Sequence, residues 1–186
     1  MCWNDEHSID SMQISGIGGE VMLIERKWAM SNSKTFSIKP IKELLQEEVD
    51  DGIWLDPFAG NSKIATITND LNPNCDTDYH MEATDFLKMF PNEYADGVLF
   101  DPPYSPRQIK ECYEGIGIKE FNTKADFYSN VKDEIARVVK PGGKVISFGW
   151  NSMGMGKKRG FEIKRILLVP HGGAKNDTIV TVEVKL

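Results

Sequence analysis

Ala95-Asp-Gly-Val-Leu-Phe100-Asp101-Pro102-Pro103-Tyr104 reads as a short buried strand brought to a stop. Residues 95–100 form a brief, mainly apolar run, as interior strands do. The two prolines cannot donate to a ladder, so pairing ends at Asp101. An acid, a stiff bend and an aromatic ring thus arrive together at a strand's carboxyl end, where open α/β sheets bind ligands. Such a corner suits a planar aromatic amine whose lone pair is delocalised into its ring. The Asp101 carboxylate and the Pro102 carbonyl could accept both N–H bonds and draw the nitrogen toward tetrahedral geometry. Attack on an electrophilic methyl group then depends mainly on positioning. Tyr104 would stack on the ring, as aromatics do with extruded bases. A plain turn after a strand also accounts for these residues, because motif matches carry false positives.

A second corner narrows the choice. Asp56-Pro57-Phe58-Ala59-Gly60 follows Gly52-Ile-Trp-Leu55, another short apolar run. Together the two corners resemble the amino-methyltransferases that use S-adenosylmethionine to methylate adenine N6 or cytosine N4 in DNA. The resemblance runs from about Trp28 to Leu186. It implies a class I methyltransferase α/β fold, a Rossmann-like sheet of order 3-2-1-4-5-7-6 with its last strand antiparallel. It implies that Asp101, Pro102, Pro103 and Tyr104 are catalytic, and that Asp56, Pro57, Phe58, Ala59 and Gly60 border the methionine part of the cofactor.

Further positions follow from the same likeness. Pro40 suits the first turn of a helix whose Ile41, Leu44, Leu45 and Val49 share a face. Ser37, Ile38, Lys39 and Pro40 resemble the family's motif ten, which implies a place beside the methionine end of S-adenosylmethionine. Asp70, with its neighbour Leu71, closes the second strand, where a carboxylate typically takes the two ribose hydroxyls. Asn72 is the alternative. Tyr79–Thr84 reads as a third strand, and the resemblance then sets Asp85 and Phe86 against the adenine. Asp85 also suits a helix N-cap.

One departure stands out. Gly60 is followed by Asn61-Ser62-Lys63 and at once by strand-like Ile64–Thr68, although parallel strands need a crossover of about a dozen residues. The first helix is therefore expected to be shortened or absent. That removes the helix N-terminus which would hold the methionine carboxylate, leaving Asn61, Ser62 or Lys63 as substitutes.

The 186 residues, 40% of them hydrophobic, are read as one methyltransferase domain. Residues 1–35 form an N-terminal extension, in which Val21–Ile24 is a short strand and Gly16–Gly19 a flexible turn. Only 15 residues separate Asp85 from Asp101, so no separate target-recognition domain fits there. No apolar run reaches membrane-spanning length, and the first seven residues are too polar for a signal peptide. Cys2, Cys75 and Cys112 are scattered, which points to a reducing cytoplasm and no metal site. No Pro-Cys dipeptide offers the thiolate of cytosine-C5 chemistry.

The net charge of −6 is uneven. Residues 1–104 hold 7 Lys and Arg against 19 Asp and Glu, whereas residues 105–168 hold 13 against 7. A phosphate backbone would favour that second half, though ordinary surface scatter explains it equally. Ser105 to Lys124 reads as a lid or recognition loop carrying Arg107, Lys110, Lys119 and Lys124. Residues 126–139 read as a core helix stopped by Lys140-Pro-Gly-Gly143. Met153–Gly160 reads as a mobile basic loop. Phe161–Val169 and Thr178–Val184 read as a terminal hairpin. Arg107, Trp150, Lys157, Lys158, Arg159 and His171 are the substrate-contact candidates.

The expected activity is methylation of adenine N6 in DNA, on a base that is flipped out or already single-stranded. Cytosine N4, an RNA base, or a catalytically silent cofactor-binding subunit are the alternatives. A homodimer or a separate specificity subunit is the expected partner besides DNA. Restriction-modification and phage settings are the family's contexts, by analogy only.

Overall fold

The computed structural model describes residues 10–15, 21–32, 34–117, 125–173 and 175–186. The expected turn at Gly16–Gly19 and the lid cations Lys119 and Lys124 lie outside them. The strands are β1 (Asp10–Ser15), β2 (Val21–Arg26), β3 (Trp54–Asp56), β4 (Ile67–Thr68), β5 (Ala95–Phe100), β6 (Val139–Gly149), β7 (Phe161–Val169) and β8 (Thr178–Lys185). The helices are α1 (Lys39–Glu48), α2 (Ala83–Lys88), α3 (Pro106–Gly115) and α4 (Ala125–Val138). The strands form one sheet of order β1-β2-β7-β8-β6-β5-β3-β4. β4, β3, β5 and β6 run parallel, and β8 enters antiparallel between β6 and β7.

This is the expected order with two changes. The third strand is a single bridge from Asn69 to Tyr79, because the chain turns into α2 at Ala83. At the opposite edge, β2 pairs parallel with β7 and β1 pairs antiparallel with β2. Part of the N-terminal extension is thus built into the sheet.

Two apolar clusters hold the layers. Leu55, Val98, Phe100 and Val145 meet α2 and α4 on one face, while Ile41, Leu44 and Leu45 of α1 meet Leu99, Ile146 and Leu167 on the other. α1 keeps the expected period, with Pro40 in its first turn. α3 stands where a loop was expected. Pro106 is pre-set for its first turn, and the Ser105 hydroxyl caps it by accepting from the Gln108 amide at 3.2 Å. α4 ends at Val138, and Lys140–Gly143 is an irregularity within β6 rather than a helix stop.

No helix crosses between β3 and β4. Gly60 turns at φ 55°, and its amide is held by Asp70 Oδ2 at 2.9 Å. Asn61 and Lys63 tie to Asp76 at 2.9 and 3.1 Å. The crossover from β6 to β7 also lacks a helix, having only one 3₁₀ turn at Lys157–Arg159. No described helix is long and apolar enough to cross a membrane.

Candidate active site

A cleft of about 1130 Å³ opens at the carboxyl ends of β3, β4 and β5. Pro57–Lys63 line one side, and Asp101–Tyr104 the other. The two sequence corners therefore face the same space. Their juxtaposition follows from the parallel pairing of β3 with β5, which sets the two strand ends side by side.

The second corner is braced from several directions. The Tyr104 amide donates to Gln108 Oε1 at 2.6 Å, and Tyr128 donates its hydroxyl to the Pro103 carbonyl at 2.6 Å. Among the described residues no hydrogen bond reaches the Pro102 carbonyl. The Tyr104 hydroxyl donates to Asp101 Oδ1, and the Thr35 side chain lies near both groups. The Tyr104 ring stands edge-on to Trp150, with centroids 5.6 Å apart. Burial pushes the Asp101 carboxyl up to about 6, against the lowering effect of Tyr104 and Thr35. Burial and the Asp101 charge hold the Tyr104 phenol far above its usual range.

Asp56 lies beneath the cleft, fully buried. Its Oδ1 accepts from the Phe58 amide at 3.0 Å, while Oδ2 has no partner among the described residues. Burial raises its pKa well above the carboxylate range, and the charges of Asp101 and Asp70 add to that. Asp70 sits on the rim, with Oδ2 on Gly60 and Oδ1 on the Asn72 amide at 2.8 Å. Two further lone pairs stay available for a diol. Leu71 and Asn61 line the same cleft.

Motif ten divides. Ser37 lines the cleft, whereas Ile38 and Pro40 are buried in the α1 packing and Lys39 is exposed. The cleft draws instead on Lys34, Thr35, Phe36 and Lys42.

Asp85 and Phe86 do not reach the cleft. The Asp85 carboxylate is largely exposed and pairs with Lys88 at 3.3 Å, and Phe86 is fully buried, edge-on to Phe90. With the third strand cut to one bridge, its end comes earlier, and Met81, Glu82 and Ala83 line the wall. Glu82 accepts the Tyr113 hydroxyl at 2.7 Å. An acid was expected at that strand end, and its displacement by three positions is the cost of extending the strand to Thr84.

The substrate-contact candidates also sort by position. His171 is buried, its ring bridging the Ala29 carbonyl and Thr178 Oγ1 at 2.8 Å each, so it serves packing. Arg159 is committed to Asp133 at 2.7 Å and Ser129 at 3.0 Å. Arg107 is exposed on α3 and pairs with Glu111 at 2.7 Å. Trp150 borders a smaller cavity of about 180 Å³ behind Tyr104. Lys157 and Lys158 are exposed. The Met153–Gly160 segment is anchored rather than loose, because Glu183 accepts the amides of Met155 and Gly156 at 2.6 and 3.2 Å. Cys75, Cys112, Tyr113 and Phe127 also line the cleft, and no motif in the sequence singled them out.

Solved structures share this frame. TrmN from Thermus thermophilus superposes with a TM-score of 0.54 at 19% identity, over 80% of this chain and 49% of its own. The fold is that of the class I methyltransferases. A second structure is the 1,6-didemethyltoxoflavin-N1-methyltransferase of Burkholderia thailandensis, solved with its substrate and S-adenosylhomocysteine. It gives 0.54 at 13% identity, over 79% of this chain and 77% of its own. SMU.776, solved with S-adenosylhomocysteine, gives 0.54 at 13% identity over 98% of this chain and 58% of its own. The chain spans about half the length of TrmN. No family model and no curated protein matches the sequence.

Proposed function

We propose that this protein transfers a methyl group from S-adenosylmethionine to an exocyclic amine of a nucleobase, with adenine N6 in DNA as the first substrate. The observation that carries this reading is the single cleft shared by Pro57–Gly60 and Asp101–Tyr104, with Asp70 on its rim. A cavity of this size accommodates a nucleoside cofactor together with a reacting group. The two methyltransferase structures solved with S-adenosylhomocysteine support the choice of cofactor through the shared fold alone.

S-adenosylmethionine, when bound, supplies an electrophilic methyl on a positively charged sulfur. Asp70 would hold the ribose hydroxyls, and Glu82 would meet the polar edge of the adenine. Ser37 and the Pro57–Gly60 turn would border the methionine part, above the unpartnered carboxyl oxygen of Asp56. Asp101 would accept one N–H of the target amine and the Pro102 carbonyl the other, orienting the nitrogen lone pair toward the methyl. With the C–N bond made and the methyl–sulfur bond broken, leaving neutral S-adenosylhomocysteine, the Asp101 carboxylate would take the surplus amine proton and pass it to water. Tyr104 would release Asp101 and stack on the base, which must be flipped or unpaired to reach it. Sequence choice would be short or supplied by a second copy or another subunit.

The test is transfer of labelled methyl to single-stranded DNA, duplex DNA and RNA, with the hydrolysed nucleosides identified by mass spectrometry. N6-methyladenine from DNA, lost in Asp101→Ala, is the expected result. N4-methylcytosine or a methylated RNA base would reassign the substrate. Cofactor binding without transfer to any nucleic acid, with Asp101→Ala like the wild type, would end the enzyme reading.

A further inference from the structure

After β2 the chain stays tied along β7 as far as Ala29, forming a strap that leads toward the cleft residues Lys34 and Thr35. The ladder on β7 outlasts β2, since the Lys27 amide donates to the Leu168 carbonyl at 3.0 Å and the Ala29 amide to that of Pro170 at 3.2 Å. His171 fastens it further by its bond to the Ala29 carbonyl. Its side chains alternate, as an extended chain requires. Glu25, Lys27, Ala29 and Ser31 are buried or half-buried, whereas Arg26, Trp28, Met30, Asn32 and Lys34 are exposed. Trp28 keeps 54% of its surface in water, between the laddered Lys27 and Ala29.

The charge of this run is unlike the rest of the molecule. Residues 26–42 contain Arg26, Lys27, Lys34, Lys39 and Lys42 and no acid, in a chain of net charge −6. Lys27 pairs with Glu25 and Glu43, but Arg26 and Lys34 carry no ion pair among the described residues. The cation-rich stretch 105–168 is largely spent by contrast, on pairs such as Lys140–Asp96, Lys144–Glu48 and Arg159–Asp133. The strap then runs directly into the candidate site. Lys34 and Thr35 line the cleft, and Phe36 packs on Phe148 with ring centroids 4.8 Å apart.

We propose that the strap Arg26–Lys34 is the docking track for a single-stranded nucleic acid, with a base stacked on Trp28 between phosphates held by Arg26 and Lys34. An exposed indole flanked by unpaired cations is the pairing that sequence-tolerant single-strand binding uses. Bases inside a duplex would leave Trp28 without a free face. The substrate class rests on the nucleobase reading above, and the track adds where the strand enters.

The experiment is fluorescence anisotropy with a labelled single-stranded oligonucleotide of ~15 nucleotides, across a salt series. Trp28→Ala should weaken binding roughly tenfold, and Trp28→Phe should recover most of the loss. The double variant Arg26→Ala/Lys34→Ala should flatten the slope of log affinity against log salt by about 1.4. The affinity of Trp28→Ala for S-adenosylhomocysteine should stay at the wild-type value. Wild-type binding by Trp28→Ala and by the double variant overturns the track, as does absence of nucleic-acid binding, stronger binding to duplex, or equal competition by polyglutamate. If the single strand binds through the strap but no methyl is transferred, the track stands and the methylation reading falls. If nucleobases are methylated with KM untouched by all three variants, the track falls alone.

Discussion

The Tyr104 hydroxyl donates its hydrogen bond to Asp101 Oδ1, so the acceptor proposed for a substrate amine is engaged by the chain's own phenol. The same ring stands edge-on to Trp150 and lines both the large cleft and the small cavity behind it. Stacking on a base would require the ring to leave this position. Under the proposed function, this arrangement is a resting state in which the acid is shielded until a substrate offers a better donor.

Asp101 gives this a pH signature. Its folded pKa of about 6 lies above the ordinary 3.8, because burial disfavours the charged form. The fold therefore bears the cost of ionising Asp101 fully above about pH 6 and not at all below about pH 4. Asp101→Asn, which keeps an acceptor for Tyr104, should be more stable than the wild type at pH 7.5 by up to about 3 kcal/mol. That difference should vanish near pH 4. Methyl transfer should run the other way, falling as pH drops through about 6. Thermal unfolding of both proteins at the two pH values, with a pH–rate profile of the wild type, checks both limbs.

Tyr104→Phe separates the hydroxyl from the ring. The hydroxyl lowers the Asp101 pKa, so its loss should move the acid limb of the pH–rate profile upward from about 6. Stacking survives in Phe, and KM should change little. Tyr104→Ala removes the ring as well and should raise KM at least about fivefold, the lower end of the stacking range. An acid limb unmoved in Tyr104→Phe would show that the phenol does not govern Asp101 during turnover.

What the sequence made legible was whatever local rules decide. Proline-stopped strands, the 3.6-residue period of α1 and α4 and the missing crossover after Gly60 all depend on near neighbours, and all are present. Asp85 and Phe86 were misplaced because a third strand extended to Thr84 would set them at its tip. Tertiary context allows that strand only one bridge, which hands the rim to Glu82. His171 and Arg159 misled for another reason. Polar side chains near a strand end look free in sequence, yet Thr178, Ala29, Asp133 and Ser129 satisfy them through long-range contacts. The ion pairs that absorb the basic half are equally distant in sequence. β1 joins the sheet only through β2, whose parallel pairing with β7 spans most of the chain.

Gly154 tests the anchor of the β6–β7 connection. It turns at φ 47°, and a Cβ there would lie 2.1 Å from Glu183 Oε2. That carboxylate is buried and holds the Met155 and Gly156 amides, while Lys132 donates to the Gly154 carbonyl at 2.5 Å. Gly154→Ala should cost about 2–4 kcal/mol, combining backbone strain with loss of a buried hydrogen-bonded acceptor. Gly160→Ala shares the positive φ, at 81°, but meets nothing within 4 Å. It should cost only about 1–2 kcal/mol. Equal losses in denaturant titrations would show that strain alone, not the Glu183 clash, sets the penalty.

Arg165 holds the root of the strap. It donates to Glu25 at 2.5 Å, Glu47 at 2.6 Å and Glu48 at 3.1 Å, joining β2, α1 and β7. Burial alone would raise the Glu25 carboxyl, but the hydrogen bond and charge of Arg165 bring it below the usual value. A depressed carboxylate contributes stability above its unfolded pKa and loses it as pH falls through the folded one. Arg165→Met would leave Glu25, at 7% exposure, facing two other acids with only Lys27 at 3.3 Å for support. The expected loss at pH 7 is about 3–5 kcal/mol. It should shrink toward pH 4, where Glu25 can take a proton in the variant. Adding Glu25→Gln to Arg165→Met should restore part of the stability at pH 7, because no buried charge is then left unpaired. A deficit independent of pH, with no recovery in the double variant, would show that Arg165 acts through packing of its aliphatic stem rather than through its charge.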